Sequence, residues 1–246
     1  MLLRVAGLRK SFGGVRAVRG VSFEVEAGEM VALIGPNGAG KSTCFAMVGG
    51  QVRPDAGVVR LEGQDVTGSG ARRLYRLGVG RTFQVAAVFG SMTARENVQV
   101  AMLSARGRIG RWWRAARERD PARADVLLER VGLVEQADRG ASVLAYGDVK
   151  RLELAMALAG RPALLLMDEP TAGMAQAERG ALMALVRRLA TQSGVGVLFT
   201  EHDMAAVFGV ADRILVLHRG QLIAEGDAAR IQSDPVVRDV YLGGAV

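Results

Sequence analysis

Apolar residues along this chain fall into short blocks of two kinds. Val31-Ala32-Leu33-Ile34 is an uninterrupted apolar run that ends in a glycine-rich loop, and Leu164-Leu165-Leu166-Met167 is apolar at every position. Residues 195–200 and Ile214-Leu215-Val216-Leu217 repeat the pattern, the latter running into a turn at residues 218–221. Runs of this length with no polar alternation predict strands covered on both faces, as in a parallel sheet. Between residue 85 and residue 161 the pattern changes to Arg- and Ala-rich sequence with helical spacing over 122–131 and 149–159. A helix is also predicted to open at Lys41. The alternation of strand and helix patterns predicts an α/β domain with a parallel sheet. The division is 1–84 for the first part of the core, 85–161 for an inserted α-helical subdomain, 162–226 for the second part and 227–246 for a helical tail.

Bulk properties narrow this picture. The 246 residues suit one large domain or a domain with an insert. The longest apolar runs, 163–167 and 195–199, are strand-sized, far short of a membrane span. The first residues lack the apolar core and cleavage site of a signal peptide, so the expected location is cytoplasmic. Cys44 is the only cysteine, which excludes an internal disulfide; its place on the first turns of a helix reads as a small buried residue. The net charge of +7 comes mostly from scattered arginines, an arrangement that argues against a nucleic-acid groove. Residues 108–119 gather Trp112 and Trp113 among five arginines and read as an amphipathic connector. His218 reads as a surface turn residue.

Candidate chemistry begins at Gly35-Pro36-Asn37-Gly38-Ala39-Gly40-Lys41-Ser42-Thr43, which matches the phosphate-binding pattern G-x-x-x-x-G-K-[ST] in full. Glycines there let backbone N–H groups turn toward phosphates, and the following helix adds its positive end. Lys41 is placed for the β- and γ-phosphates, Ser42 for Mg²⁺ and Thr43 for the α-phosphate. The nucleotide site needs a carboxylate at the end of an apolar strand, and Asp168-Glu169 supplies two. Asp168 is assigned to Mg²⁺ through a water. Glu169 is assigned as the general base that polarises the attacking water.

With these elements in place the chain resembles the ATPases of ABC transporters. Arg81-Thr82-Phe83-Gln84 resembles the family's Q-loop, where the glutamine senses Mg²⁺ and the γ-phosphate. Leu144-Ala145-Tyr146-Gly147-Asp148 resembles the family's signature, and Thr200-Glu201-His202-Asp203 its switch histidine. The resemblance covers essentially the whole chain. It implies a P-loop NTPase (RecA-like) parallel-sheet core with N-terminal antiparallel β strands. It also implies ATP and Mg²⁺ as ligands, with His202 on the γ-phosphate. Phe12 falls where the family stacks an aromatic ring on adenine; a core aromatic on a first strand is the competing reading. Two cassettes are expected to meet head to tail, each ATP lying between one phosphate loop and the partner's signature, represented here by Ala145 and Gly147.

The wording of residues 80–84, 89–97, 144–147 and 234–243 resembles ATPases of branched-chain (hydrophobic) amino acid importers. Urea or amide importers and lipopolysaccharide-export ATPases share much of it, and a soluble non-transport ABC ATPase is the rival from another class. The resemblance implies membrane permease subunits docked near residues 84–97. It implies a homodimer or a heterodimer with a homologous ATPase, an indirect periplasmic substrate-binding protein, and a peripheral place on the cytoplasmic face of the inner membrane. Three positions depart from the family pattern: Ala145 for serine, Asp148 for glutamine, and Ala175 for the usual Asp or Asn. These predict slower hydrolysis than in a typical member, not its absence.

Overall fold

The computed structural model describes residues 1–82, 87–105 and 120–242. Gln84, Trp112, Trp113 and residues 243–246, singled out above, lie outside the described residues. Two sheets organise the rest. The smaller is antiparallel, in the order β2-β1-β4-β5, from β1 (Leu3–Phe12), β2 (Val15–Val25), β4 (Ala56–Leu61) and β5 (Gln64–Asp65). The larger runs β10-β9-β3-β8-β7-β6, from β3 (Met30–Ile34), β6 (Val79–Thr82), β7 (Leu164–Asp168), β8 (Gly196–Thr200), β9 (Arg213–His218) and β10 (Gln221–Gly226). Its strands are parallel apart from β10, which returns antiparallel on β9.

Successive side chains on a strand point to opposite faces, and here the two faces feed two separate cores. Met30, Ala32 and Ile34 join one cluster, while Val31 and Leu33 join the other. β7 splits the same way, Leu165 and Met167 against Leu164 and Leu166, and so does β9, Ile214 and Val216 against Leu215 and Leu217. The second cluster is closed by the antiparallel sheet, through Leu3, Val5, Val21 and Phe23, and by Cys44 and Phe45 of α1 (Lys41–Val48). This two-sided cover is why the central strands are apolar apart from their ends.

After α2 (Ala71–Arg76) and β6, the described residues up to β7 hold the helices α3 (Ala94–Ala105), α4 (Pro121–Arg130) and α5 (Tyr146–Leu158), with 3-10 turns at Val134–Gln136 and Ala141–Val143. β6 and β7 are sheet neighbours, so the helical stretch leaves and re-enters the sheet at adjacent strands. Asp120 caps α4 by accepting from the Arg123 N–H, with Pro121 at the first helical position, where its missing N–H costs nothing. The 149–159 pattern begins earlier in the structure, because Ala145 is extended and the helix starts directly after it. Residue 195 likewise precedes β8 instead of opening it.

The remaining helices are α6 (Gln176–Ser193), α7 (Met204–Val210), α8 (Ala228–Ser233) and α9 (Pro235–Leu242). The tail is packed, not loose: Ile231 and Val237 are buried in the helical-side core and Tyr241 lies against it. Burial pushes the Tyr241 phenol up to about 12, opposed by a hydrogen bond to the Gly35 backbone. Among the described residues no helix is long and apolar enough to cross a membrane.

Candidate functional site

β3, β8 and β7 lie side by side and parallel, so their carboxyl ends share one edge of the sheet. The loop 35–40 leaves β3 there, Asp168 ends β7 and Thr200 ends β8. In open α/β sheets this edge is where ligands bind. A cleft of about 760 Å³ opens on it, lined by residues 37–43, Glu169, His202, Arg16, Arg19 and Arg219.

The loop takes a path that side chains would obstruct. A Cβ on Gly35, at φ 155°, would lie 2.2 Å from the Leu217 carbonyl oxygen, and one on Gly40, at φ 101°, 2.4 Å from that of Ala17. Both positions therefore need glycine. Gly38 has open space around it, and Asn37 and Gly38 are exposed at the mouth. Lys41 is buried, its ammonium donating to the carbonyls of Gly35 at 2.6 Å and Pro36 at 3.1 Å. Burial lowers its pKa, and the charges of Glu169 and Asp168 oppose that. Ser42 stands exposed on the first turn of α1 and Thr43 is half-buried beside it. α1 opens without a side-chain cap, leaving its first N–H groups for a ligand.

Thr200 organises the carboxylates. Its hydroxyl donates to Asp168 Oδ1 at 2.7 Å, and both its hydroxyl and its carbonyl accept from the Glu169 N–H at 3.1 Å. Glu169 sits at φ 48°, a left-handed conformation uncommon outside glycine, and this turns its carboxylate out of the strand direction toward the cleft. Glu169 Oε1 lies 2.9 Å from His202 Nε2. Buried Glu201 fixes the neighbouring loops, accepting from the Thr171 N–H and hydroxyl at 2.8 and 2.6 Å and from the His202 N–H at 3.2 Å. Asp203 then caps α7 through the N–H groups of Ala205 and Ala206. Arg81, at the end of β6, lies 3.9 Å from Asp168 and over the Phe45 ring.

The structure thus brings the phosphate loop, Asp168, Glu169 and His202 to one sheet edge. Ala145, Gly147 and Phe12 do not line this cleft. Phe12 is 51% exposed at the end of β1, with the Lys10 ammonium 5.5 Å from its ring centroid, and so is not a core aromatic. Ala145 is exposed at the uncapped start of α5, and Gly147 is buried at its second helical position, where a Cβ would meet the Glu178 carboxylate at 3.2 Å. Tyr146 donates its hydroxyl to the Ala172 carbonyl at 3.1 Å and packs on Gly173, which ties this start to the loop after Glu169. Asp148 faces its own chain, accepting from Gln136 Nε2 at 2.9 Å and lying 3.1 Å from the Arg151 guanidinium. Sequence reasoning gave no role to Thr200, Glu201, Arg16, Arg19 or Arg219. The one sequence signal was the position of Thr200 and Glu201 directly after an apolar strand.

Comparison with known proteins agrees with this geometry. Residues 18–172 match the family described as ABC transporter, and residues 221–246 match the branched-chain amino acid ATP-binding cassette transporter family. The high-affinity branched-chain amino acid transport ATP-binding protein BraF of Pseudomonas aeruginosa is 40% identical over 99% of this chain and 98% of its own length. LivG of Escherichia coli K12, with the same description, is also 40% identical with the same coverage. A crystal structure of a nucleotide-free ATP-binding cassette from an ABC transporter superimposes with a TM-score of 0.86 at 32% identity, covering 98% of both chains.

Proposed function

The chain belongs to the ABC transporter family as an ATP-binding, ATP-hydrolysing cassette, and from that premise we infer that it drives import of branched-chain or similar hydrophobic amino acids. The observation that carries the catalytic part is the Glu169–His202 contact at 2.9 Å on the edge that also holds Lys41. The substrate class rests on the similarity to BraF and LivG and on the match of the C-terminal segment.

The residues divide the work by position. N–H groups of the loop and of the α1 start receive the phosphates, and Lys41 exchanges its loop carbonyls for the β- and γ-oxygens. Glu169 takes the proton of the attacking water, and His202 holds the Glu169 carboxylate and the γ-phosphate in register. Ser42, Asp168 and Gln84 would hold Mg²⁺, whose chemistry is to neutralise charge on the phosphate oxygens. An ion of this kind takes few protein ligands and completes its shell with water and substrate, which fits one hydroxyl on the first turn of α1 and one carboxylate at the end of β7. The uncapped start of α5 at Ala145 and Gly147 serves the nucleotide of a second cassette, homologous or identical, so that ATP becomes part of a dimer interface.

The permease docks beside residues 84–97. The reading is supported by an apolar cleft of about 400 Å³ between α2, α3 and α5, lined by Tyr75, Phe89, Ala101 and Met156. Fully buried Asn97 holds the loop over it, accepting from the Phe89 N–H and donating to the carbonyls of Phe89 and Thr93. Such docking places the chain on the cytoplasmic face of the membrane. The test is uptake of labelled leucine, isoleucine and valine by cells lacking this chain, with tagged chain recovered from native membranes. Lost uptake and co-purified multi-span permease subunits are expected. Unchanged uptake, or recovery of soluble partners alone, would leave the ATPase standing and remove the importer.

A further inference from the structure

The cleft carries more positive charge than its phosphate loop accounts for. Arg16 and Arg19 of β2 and Arg219 of the β9–β10 turn all line it, and all three are exposed. Among the described residues their side chains have no ion-pair or hydrogen-bond partner, whereas Arg95, Arg187 and Arg213 each hold a carboxylate. Among the described residues the one carboxylate lining the cleft, Glu169, is engaged with His202. Cations lining one cleft repel one another, and an anion bound there relieves that repulsion.

Their backbone fixes where in the cleft these arginines act. The Arg19 N–H donates to the Gly220 carbonyl and the Gly220 N–H to the Ala39 carbonyl, both at 2.8 Å. Ala17 crowds Gly40 from the same side. The arginine-bearing segments are therefore clamped on the end of the phosphate loop, at the start of α1. In the sheet, β9 and β10 flank β3 on one side, while β8 and β7, which deliver His202 and Glu169, flank it on the other. A nucleotide with its γ-phosphate toward Glu169 and His202 turns its α-phosphate and nucleoside toward the arginines.

We propose that Arg16, Arg19 and Arg219 form a guanidinium rim that grips the α-phosphate and nucleoside end, binding ADP as firmly as ATP and so governing product release. The assignment rests on the nucleotide site described above. Guanidinium groups suit this place, because they pair with phosphate oxygens and also stack on a base. Contacts shared equally by substrate and product add affinity without favouring the transition state.

The test is titration of the purified chain with fluorescent ADP, and of a Glu169→Gln background with ATP, for Arg16→Gln, Arg19→Gln and Arg219→Gln and their combination. The combined variant is expected to weaken both nucleotides by about 10-fold or more, leaving the ADP-to-ATP ratio within about 2-fold. ADP dissociation accelerates by the same factor, Arg219→Lys recovers part of it, and the effect shrinks as salt rises. A structural role would instead lower the melting temperature of the nucleotide-free variants. Wild-type ADP affinity in the combined variant overturns the rim, as does loss confined to ATP. If the unmodified chain binds neither nucleotide and Lys41→Ala changes nothing, the nucleotide site itself is wrong.

Discussion

Single residues at the starts of α5 and α6 carry the expected departures from the family pattern, and for two of them the structure gives a physical consequence. Ala175 stands at the N-cap of α6 in the extended conformation of a capping residue, but offers no oxygen to the free N–H groups. Ala175→Asn is expected to stabilise the chain by about 1 kcal/mol, a rise of roughly 2–4 °C in melting temperature, read by calorimetry. It also restores the side chain expected to bridge two sites, so ATP turnover should rise. Asp148→Gln should change turnover less, because the Asp148 carboxylate is already paired with Arg151 and accepts a hydrogen bond from Gln136. Glu169→Gln keeps the shape and hydrogen-bonding reach of the base but removes its basicity. It is expected to cut hydrolysis by about 10² or more while ATP binding persists, checked by phosphate release beside filter binding. The loop glycines, Lys41, Asp168 and Glu169 were legible in sequence because their residue types are dictated by phosphate and proton chemistry at fixed spacing. Thr200 was not, since its role comes from register: it stands opposite Asp168 across two strands 32 residues apart.

Elements show the same division between local and distant causes. The central strands could be read from their apolar runs alone, because burial on both faces leaves polar residues only at the strand ends. β1 and β2 could not, since bulges between Val5 and Leu8 and between Lys10 and Ser11 break the alternation that marks a half-buried strand. Within α5, Lys150 and Glu153 are both buried, 3.9 Å apart, with Glu201 also raising the Lys150 pKa against a larger lowering by burial. Lys150→Met removes the cation 3.9 Å from buried Glu153 and is expected to cost about 3–5 kcal/mol in denaturant unfolding; adding Glu153→Met should recover part of that. α7 supplies a pH dependence. The Asp203 carboxyl titrates below its ordinary value because it accepts from the Ala206 N–H, with the Arg179 guanidinium and the Ala205 N–H adding to the effect. A group lowered on folding adds stability that is full above its unfolded value, about pH 4, and is lost as pH falls through the folded one. Asp203→Ala should therefore destabilise the chain at neutral pH and flatten the acid limb of its stability profile. Because His202 is the adjacent residue, turnover should fall as well.

At the scale of the whole molecule, one sheet serves as the wall between two cores and its carboxyl edge as the floor of the site. Ligand binding at that edge should be felt throughout. ATP at about 100 times its dissociation constant adds roughly 2.7 kcal/mol to folding, a rise of about 5–10 °C, and Lys41→Ala should abolish the shift. The strand order has a further consequence for how this protein is made. β3 carries the phosphate loop, yet its sheet partners are β8 and β9, whose residues begin at Gly196 and Arg213. During synthesis the first half of the nucleotide site leaves the ribosome long before either partner exists. At about 5–20 residues per second, a fully apolar strand waits roughly ten to forty seconds for its neighbours. The nascent strand needs cover over that interval, and ATP can stabilise the site only after β9, which ends at His218, has been translated.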